Sequence, residues 1–113
     1  MRQCNVVEIV TPKKFLLNGL WFGNTKPKKV IVWIHGLGSS VFSKHAIIEK
    51  LATGDTAVLT FNNRGHDAVV RTRDTTGKKN IIAGAAFEKF EECLDDIQGA
   101  INYVSSLGIQ KIY

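Results

Sequence analysis

Short apolar stretches separated by polar turns occupy the first half of the chain. Residues 6–10 are β-branched except for Glu8, and residues 15–22 are apolar around Asn18-Gly19, so we predict two short strands that pair with each other. Residues 30–34 are apolar without alternation, which is typical of a strand covered on both faces in a parallel sheet. We therefore predict that 30–34 is the central strand and that 57–61 forms the next strand.

Apolar residues spaced three and four apart predict two helices. A short helix over 43–51 would place Ala46, Ile47 and Leu51 on one side, before the break at Gly54. Further along the chain, six apolar residues step by three and four and predict one stripe that faces a core: Phe87, Phe90, Leu94, Ile97, Ile101 and Val104.

The rest of the chain continues the alternation of strand and helix. Gly108 fits the position after the last helical turn, where Ile109 can fold back on Val104, and 109–113 begins another strand-like run. Residues 66–86 are polar and then small, so we predict a long loop there. Strands that alternate with helices favour an α/β fold with a largely parallel sheet.

Composition narrows the class of protein. The 113 residues suffice for one domain, and a content of 44% apolar and 22% charged residues is typical of a globular chain. No apolar run approaches the ~20 residues that cross a bilayer, and no signal peptide is visible, so we expect a cytoplasmic protein without a membrane partner. Cys4 and Cys93 lie far apart in no metal-ligand spacing, which favours reduced thiols over a disulfide or zinc site.

Charge does not point to a nucleic-acid partner. Fifteen basic against ten acidic residues give a net charge of +5, but the lysines fall in pairs at predicted connections. We therefore expect solvated basic loops and no nucleic-acid binding. The acidic pairs Glu91-Glu92 and Asp95-Asp96 lie opposite the apolar stripe of the last helix, and we expect both pairs to form a solvated face.

Two glycine-containing turns carry the most information. His35-Gly36-Leu37-Gly38 directly follows the first buried strand, and Asn63-Arg64-Gly65-His66 directly follows the next. In this order, residues 6–113 resemble the amino-terminal half of an α/β-hydrolase. The resemblance implies a single partial domain over 1–113, in which antiparallel first strands precede parallel strands with flanking helices, and in which the sheet is incomplete.

The resemblance implies an oxyanion hole at the first turn. Glycines at 36 and 38 would permit positive φ and close approach, which exposes the Leu37 N–H as a donor to an acyl oxygen. It assigns catalytic roles to His35, Gly36 and Leu37 and substrate contacts to Gly38 and Ser39, with no cofactor and no metal. His35 would hold the shape of the turn and would not be the general base. Two alternatives stay open for it: a histidine bonded inside the loop, or a direct role in the site.

At the second turn, the resemblance implies that Arg64 is structural and bonded to neighbouring loops. The sequence departs from the family pattern at Asn62, where aspartate is frequent, and at Asp67, where a second glycine is frequent. Because of these two departures, the resemblance does not predict the geometry of this loop.

Three serines close to the first turn are candidates for a nucleophile. None of them lies in a Gly-x-Ser-x-Gly motif, so we interpret Ser39, Ser40 and Ser43 as caps of the short helix.

The nucleophile motif of the family is missing from the sequence. In α/β-hydrolases it follows the strand that begins here at Ile109, and the triad acid and histidine come later. We therefore expect a fragment of a serine hydrolase acting on carboxylic esters or related acyl substrates. It would be inactive as this 113-residue chain, and the small-molecule acyl substrate would bind only to the complete protein.

Two other functions remain open. An NADP-type Rossmann-like half domain would place Gly36-Leu37-Gly38 at a phosphate and Arg64 at a 2′-phosphate, although Val41 stands where a third glycine is needed. The other alternative is a catalytically dead interaction module that binds a partner at the edge of its sheet.

Overall fold

The computed structural model describes residues 4–36, 39–66, 71–84 and 87–113. These residues contain seven strands and two helices. In chain order they are β1 (Cys4–Val10), β2 (Leu16–Phe22), β3 (Lys29–Ile34), α1 (His45–Leu51), β4 (Thr56–Phe61), β5 (Arg71–Arg73), β6 (Asn80–Ile82), α2 (Phe90–Ser106) and β7 (Lys111–Ile112). Neither of these helices is both long and apolar enough to cross a membrane.

The main sheet has five strands in the order β1-β2-β4-β3-β7. β1 pairs antiparallel with β2 and β2 antiparallel with β4, whereas β3 pairs parallel with both β4 and β7. The expected fold class is thereby confirmed: an α/β fold whose first strands are antiparallel and whose later strands are parallel.

The central strand is β4, so the prediction that 30–34 would be central is wrong. All six residues of β4 are buried, while β3 ends at Ile34, which is 47% exposed. The reason is that β4 is covered on both faces: Val58 packs with Ile48 of α1, and Leu59 and Phe61 pack on the side of α2.

The short helix buries a different side from the one predicted. Its buried residue is Ile48, which packs with Ala52, Phe22 and Val58, whereas Ile47 is 49% exposed. Ala46 is also exposed and Leu51 is half-buried. The helix therefore turns Ile48 and the following Ala52 toward the sheet, and the prediction that Ala46, Ile47 and Leu51 share the inner side is wrong.

The long helix also differs from its predicted orientation. Phe87, Phe90 and Leu94 are 59%, 77% and 54% exposed, and Val104 is the one residue of the predicted stripe that is fully buried. The inner face consists of Asp95, Asp96, Gly99, Ala100 and Val104.

Small residues explain this orientation. A Cβ atom added at Gly99 would lie 3.0 Å from the Thr11 Cα atom and 3.2 Å from the Val10 carbonyl oxygen. The helix backbone thus approaches the turn between β1 and β2 more closely than a larger residue would allow.

Two short strands lie within the stretch predicted to be a loop. β5 and β6 form an antiparallel hairpin, and a bridge from Phe15 to Asp74 connects this hairpin to the start of β2. Beyond α2, Gly108 has the expected positive φ of 81°, and Ile109 joins Val104 in the core. The strand expected after it is β7, which pairs with β3.

Candidate functional site

The two turns singled out in the sequence lie next to each other at the carboxyl edge of the parallel strands. Ile34 of β3 and Phe61 of β4 are partners in the parallel register, so the chain leaves both strands at the same level. His35 and Asn62 follow directly, and both are buried. Ligands of open α/β sheets commonly bind at this edge, which makes the two turns the candidate site.

His35 connects the two turns by a hydrogen bond. Its Nε2 accepts the Asn63 backbone N–H at 3.0 Å, and its Nδ1 lies 2.9 Å from the Gly36 carbonyl oxygen. Because Nε2 accepts, the ring proton is on Nδ1, which then donates to Gly36. Burial lowers the pKa of His35 and favours this neutral form. These contacts correspond to the loop-bonded alternative for His35, and its direct role in the site stays a prediction.

Leu37 and Gly38, two residues expected to form the oxyanion hole and contact the substrate, lie outside the described residues. Gly36 is described, and its φ is not in the left-handed region, contrary to expectation. The Ser39 N–H donates to the Gly36 carbonyl oxygen at 3.0 Å.

The serines after the turn bond to the loop and do not cap the helix, so the capping prediction is wrong. The residue before α1 is Lys44, which has a φ of 62° and makes no side-chain cap. Ser39 Oγ donates to Ser43 Oγ, and Ser40 Oγ accepts the Phe42 N–H. The loop conformation thus leaves the serine hydroxyls bonded to one another and to the loop backbone.

Asn62 supports the same loop. Its Oδ1 accepts the backbone N–H of Val41 at 2.7 Å, and Val41 is 2% exposed. The residue identified as a departure from the family pattern therefore bonds the loop after β3 to the end of β4.

Arg64 is held in a buried ion pair with two aspartates of α2. Asp96 accepts three bonds from it, from the backbone N–H and Nε at 2.9 Å and from Nη2 at 2.7 Å. Asp95 accepts a hydrogen bond from Arg64 Nη2 at 2.7 Å and another from the Lys13 backbone N–H at 3.2 Å. We call Arg64, Asp95 and Asp96 the ion-pair cluster.

The cluster corrects the expectation of a solvated acidic face at Asp95-Asp96, because Asp95 is 9% and Asp96 0% exposed. Burial alone would lower the pKa of Arg64, but the hydrogen bonds and charge of Asp96, followed by those of Asp95, raise it. The guanidinium also lies 4.6 Å from the centroid of the Phe15 ring. The resemblance implied a structural Arg64 bonded to neighbouring loops; its buried hydrogen bonds go to α2 instead, and they agree with a structural role.

Gly65 allows the second turn to approach the segment before α2. Its φ is 76°, and an added Cβ would lie 2.2 Å from the Gly84 nitrogen and 2.3 Å from the Ala83 carbonyl carbon. Its N–H donates to Thr72 Oγ1 of β5 at 2.7 Å. Only glycine fits this position.

His66, Glu88 and Cys93 form a second polar group beside the turns. His66 Nδ1 lies 3.1 Å from the Ser39 carbonyl oxygen, and its Nε2 lies 3.7 Å from the Glu88 carboxylate. The Cys93 thiol donates to the same carboxylate, and burial followed by Glu88 raises the pKa of Cys93 to about 12. The thiol therefore stays protonated at neutral pH and is not an activated nucleophile.

Metal ligation finds no support within the described ranges, where no three histidine, cysteine or acidic side chains form a group that could hold a metal ion. Both cysteines are free thiols. Sequence reasoning missed Asp95 and Asp96 as partners of the site. The signal that could have found them is that Asp96, Ala100 and Val104 recur every four residues beside Gly99 and so share a helix face.

Comparison with solved structures finds chains that share this fold. Three structures of the Pyrococcus furiosus esterase Pf2001 match with TM-scores of 0.65–0.68 and 23–25% identity over 98% of this chain. DcsB in complex with its substrate analogue matches with a TM-score of 0.67 and 16% identity over 97% of this chain. This chain spans only 38–40% of the Pf2001 chains and 35% of DcsB.

No family model and no curated protein matches the sequence. At the identities found with solved structures, the likeness establishes the fold, which is that of the amino-terminal part of an α/β-hydrolase.

Proposed function

We propose that this chain is the amino-terminal part of a serine hydrolase that cleaves carboxylic esters or related acyl substrates. The observation that carries the proposal is the hydrogen bond from the Asn63 N–H to His35, because it joins the turns after β3 and β4 at the carboxyl edge of the sheet. The esterase Pf2001, which has a similar fold, supports this choice among the functions that the fold could serve.

In this proposal, the backbone N–H of Leu37 stabilises the negative charge on the acyl oxygen when a serine attacks the carbonyl carbon. A preorganised donor of this kind lowers the barrier by ~3 kcal/mol. Gly36 and His35 hold the turn that presents the amide, and Gly38 and Ser39 contact the substrate. The attacking serine, its histidine and its acid are supplied by sequence outside these 113 residues, because no Gly-x-Ser-x-Gly motif occurs within them.

The buried neighbours of the turn support a positioning role for His35. Protonation of Nε2 would remove its bond from the Asn63 N–H, and the pKa of His35 is lowered by burial. The imidazole is therefore suited to holding the two turns together as a neutral ring at pH 7.

The nucleotide-binding alternative is not favoured. Arg64 would have to bind a 2′-phosphate, but its guanidinium is bonded to both Asp95 and Asp96 inside the protein. Titration with NADPH, followed by nicotinamide fluorescence, should accordingly give no saturation.

A fluorophosphonate probe and a short-chain p-nitrophenyl ester test the proposal. The product of the complete reading frame should hydrolyse the ester, and mass spectrometry should locate the probe on a serine within a Gly-x-Ser-x-Gly motif. The 113-residue chain serves as the control and should show neither reaction. Absence of labelling and hydrolysis in a folded complete protein would refute the proposal.

A further inference from the structure

A cavity of about 250 Å³ lies between the β1–β2 surface and the hairpin, and neither His35 nor Gly36 lines it. Glu8, Leu16, Asn80 and the residues of β5 are among those that line it. Two contacts hold strand β5 in place. Thr72 Oγ1 accepts the Gly65 N–H, and a β-bridge joins Asp74, the residue after β5, to Phe15. The cavity therefore has a wall of ordered backbone.

Two arginines of β5 line this cavity together. Arg71 and Arg73 alternate with buried Thr72, so their side chains leave the strand on the same exposed face, roughly 7 Å apart along the strand. In the described ranges of the chain, neither guanidinium forms an ion pair.

Of the two acidic residues close to these arginines, Asp74 does not line the cavity and Glu8 does. The Asp74 carboxylate accepts bonds from the backbone and hydroxyl of Thr76 and from the Lys79 N–H. Glu8 lines the cavity but forms no ion pair with a described residue. The two arginines and the one carboxylate leave a net positive charge among the lining residues, which an anion would stabilise.

We propose that the cavity between β2 and β5 binds the phosphate group of a small molecule, either inorganic phosphate or a small phosphomonoester. The guanidinium fork matches phosphate oxygens in pairs, and two forks can bind one dianion. The amide of Asn80 adds a donor, and Leu16 gives the cavity an apolar portion that suits a short carbon chain. The volume admits a phosphate with a few carbon atoms, and the Glu8 carboxylate disfavours larger polyanions.

Calorimetric titration of the protein with sodium phosphate at constant ionic strength tests the proposal. We expect saturable one-to-one binding. Arg71→Gln and Arg73→Gln should each weaken it about tenfold or more, which corresponds to the loss of a charge-assisted hydrogen bond. Glu8→Gln should tighten it, because this change removes a negative charge from the cavity. Both arginines are exposed, so their substitution should leave the fold unchanged by circular dichroism.

Lys78→Gln is the matched control, because it removes one positive charge from the same hairpin connection outside the cavity. It should change the affinity less than twofold. Glycerol phosphate distinguishes the source of the phosphate: tighter binding than inorganic phosphate assigns a phosphomonoester, and equal or weaker binding assigns inorganic phosphate. No saturation by either compound, or equal weakening by Lys78→Gln and Arg71→Gln, would overturn the site. Because the titration does not require ester hydrolysis, this result is independent of the proposed enzyme function.

Discussion

In the first half of α2, the polar side of the helix is buried and the apolar side is exposed. One side carries the aspartates of the ion-pair cluster, which is almost completely buried, and the other carries Phe90 and Leu94, which are 77% and 54% exposed. We call Phe87, Phe90 and Leu94 the outward apolar face. The comparison shows that the available partner, and not hydrophobicity alone, decides which side of a helix is buried.

The physical reason lies in the elements that the helix contacts. Gly99 allows close approach to the β1–β2 turn, and this approach brings Asp96 within reach of both the guanidinium and the backbone N–H of Arg64. A buried charge is stable only when it is paired and hydrogen-bonded, and these contacts meet that condition. The side chains of the outward apolar face are all more than half exposed, so their burial contributes little to the orientation of the helix.

Removing the carboxylate of Asp96 should have the largest effect on this comparison. Asp96→Ala leaves Arg64 buried beside a single remaining partner, and we expect the free energy of unfolding to fall by about 3–5 kcal/mol. Chemical denaturation measures the change. Glu91→Ala, on the exposed side of the same helix, should change stability by less than about 0.5 kcal/mol. Equal, small effects of both substitutions would show that the cluster does not hold α2 in place.

Gly65→Ala tests the close approach of the second turn. The added methyl group overlaps the backbone at Ala83 and Gly84 at a positive φ, so we expect a loss of about 2–4 kcal/mol, from overpacking together with backbone strain. Gly77→Ala is the matched control: its φ is 72°, but an added Cβ meets no described atom within 4 Å. It should lose only about 1 kcal/mol, the cost of the left-handed backbone. Similar losses at both sites would contradict the overlap.

Lowering the pH should weaken the hydrogen bond by which His35 connects the two turns. Burial lowers the pKa of His35 in the folded protein, so the unfolded chain takes up a proton first as the pH falls. The stabilisation by neutral His35 is therefore present above the unfolded pKa of ~6.5 and is lost as the pH falls through the folded pKa. Thermal unfolding between pH 8 and pH 5 measures this loss.

His35→Gln provides the comparison, because glutamine offers an acceptor for the Asn63 N–H and does not titrate. Its stability should depend less steeply on pH than that of the wild type. Parallel pH profiles of the variant and the wild type would show that the acid sensitivity does not arise from His35.

The outward apolar face should show the smallest effect. Phe90→Gln should change the stability of the 113-residue chain by less than about 0.5 kcal/mol, because the side chain is largely exposed. Val104→Ala, on the buried side of the same helix, should cost about 1–3 kcal/mol. A cost above about 1 kcal/mol for Phe90→Gln would mean that this face is covered in solution.

The sequence predicted the strands of the main sheet and the positions of the two turns, because these features depend on local pattern. Continuous apolar runs located β3 and β4, and Gly108 located the end of α2. The buried side of α2 could not be predicted in the same way, because the sequence shows Gly99 but not its close approach to the turn between β1 and β2. Close packing at Gly99 is a property of two elements that are distant in sequence.

The same distinction holds within the candidate site. Glycines after two buried strands identified both turns, but the bond between His35 and Asn63 spans 28 positions and has no local signature. The strands of the hairpin, β5 and β6, have only three residues each and lack a periodic pattern long enough to recognise.

The role of the Leu37 amide is the central claim, and one pair of variants tests it most directly. Leu37→Pro removes the backbone N–H, whereas Leu37→Ala keeps it and changes only the side chain. In the complete, folded protein, we predict that Leu37→Pro lowers kcat for ester hydrolysis by about 10²–10³-fold and that Leu37→Ala changes it only a few-fold. A kcat for folded Leu37→Pro within a few-fold of the wild type would contradict the claim.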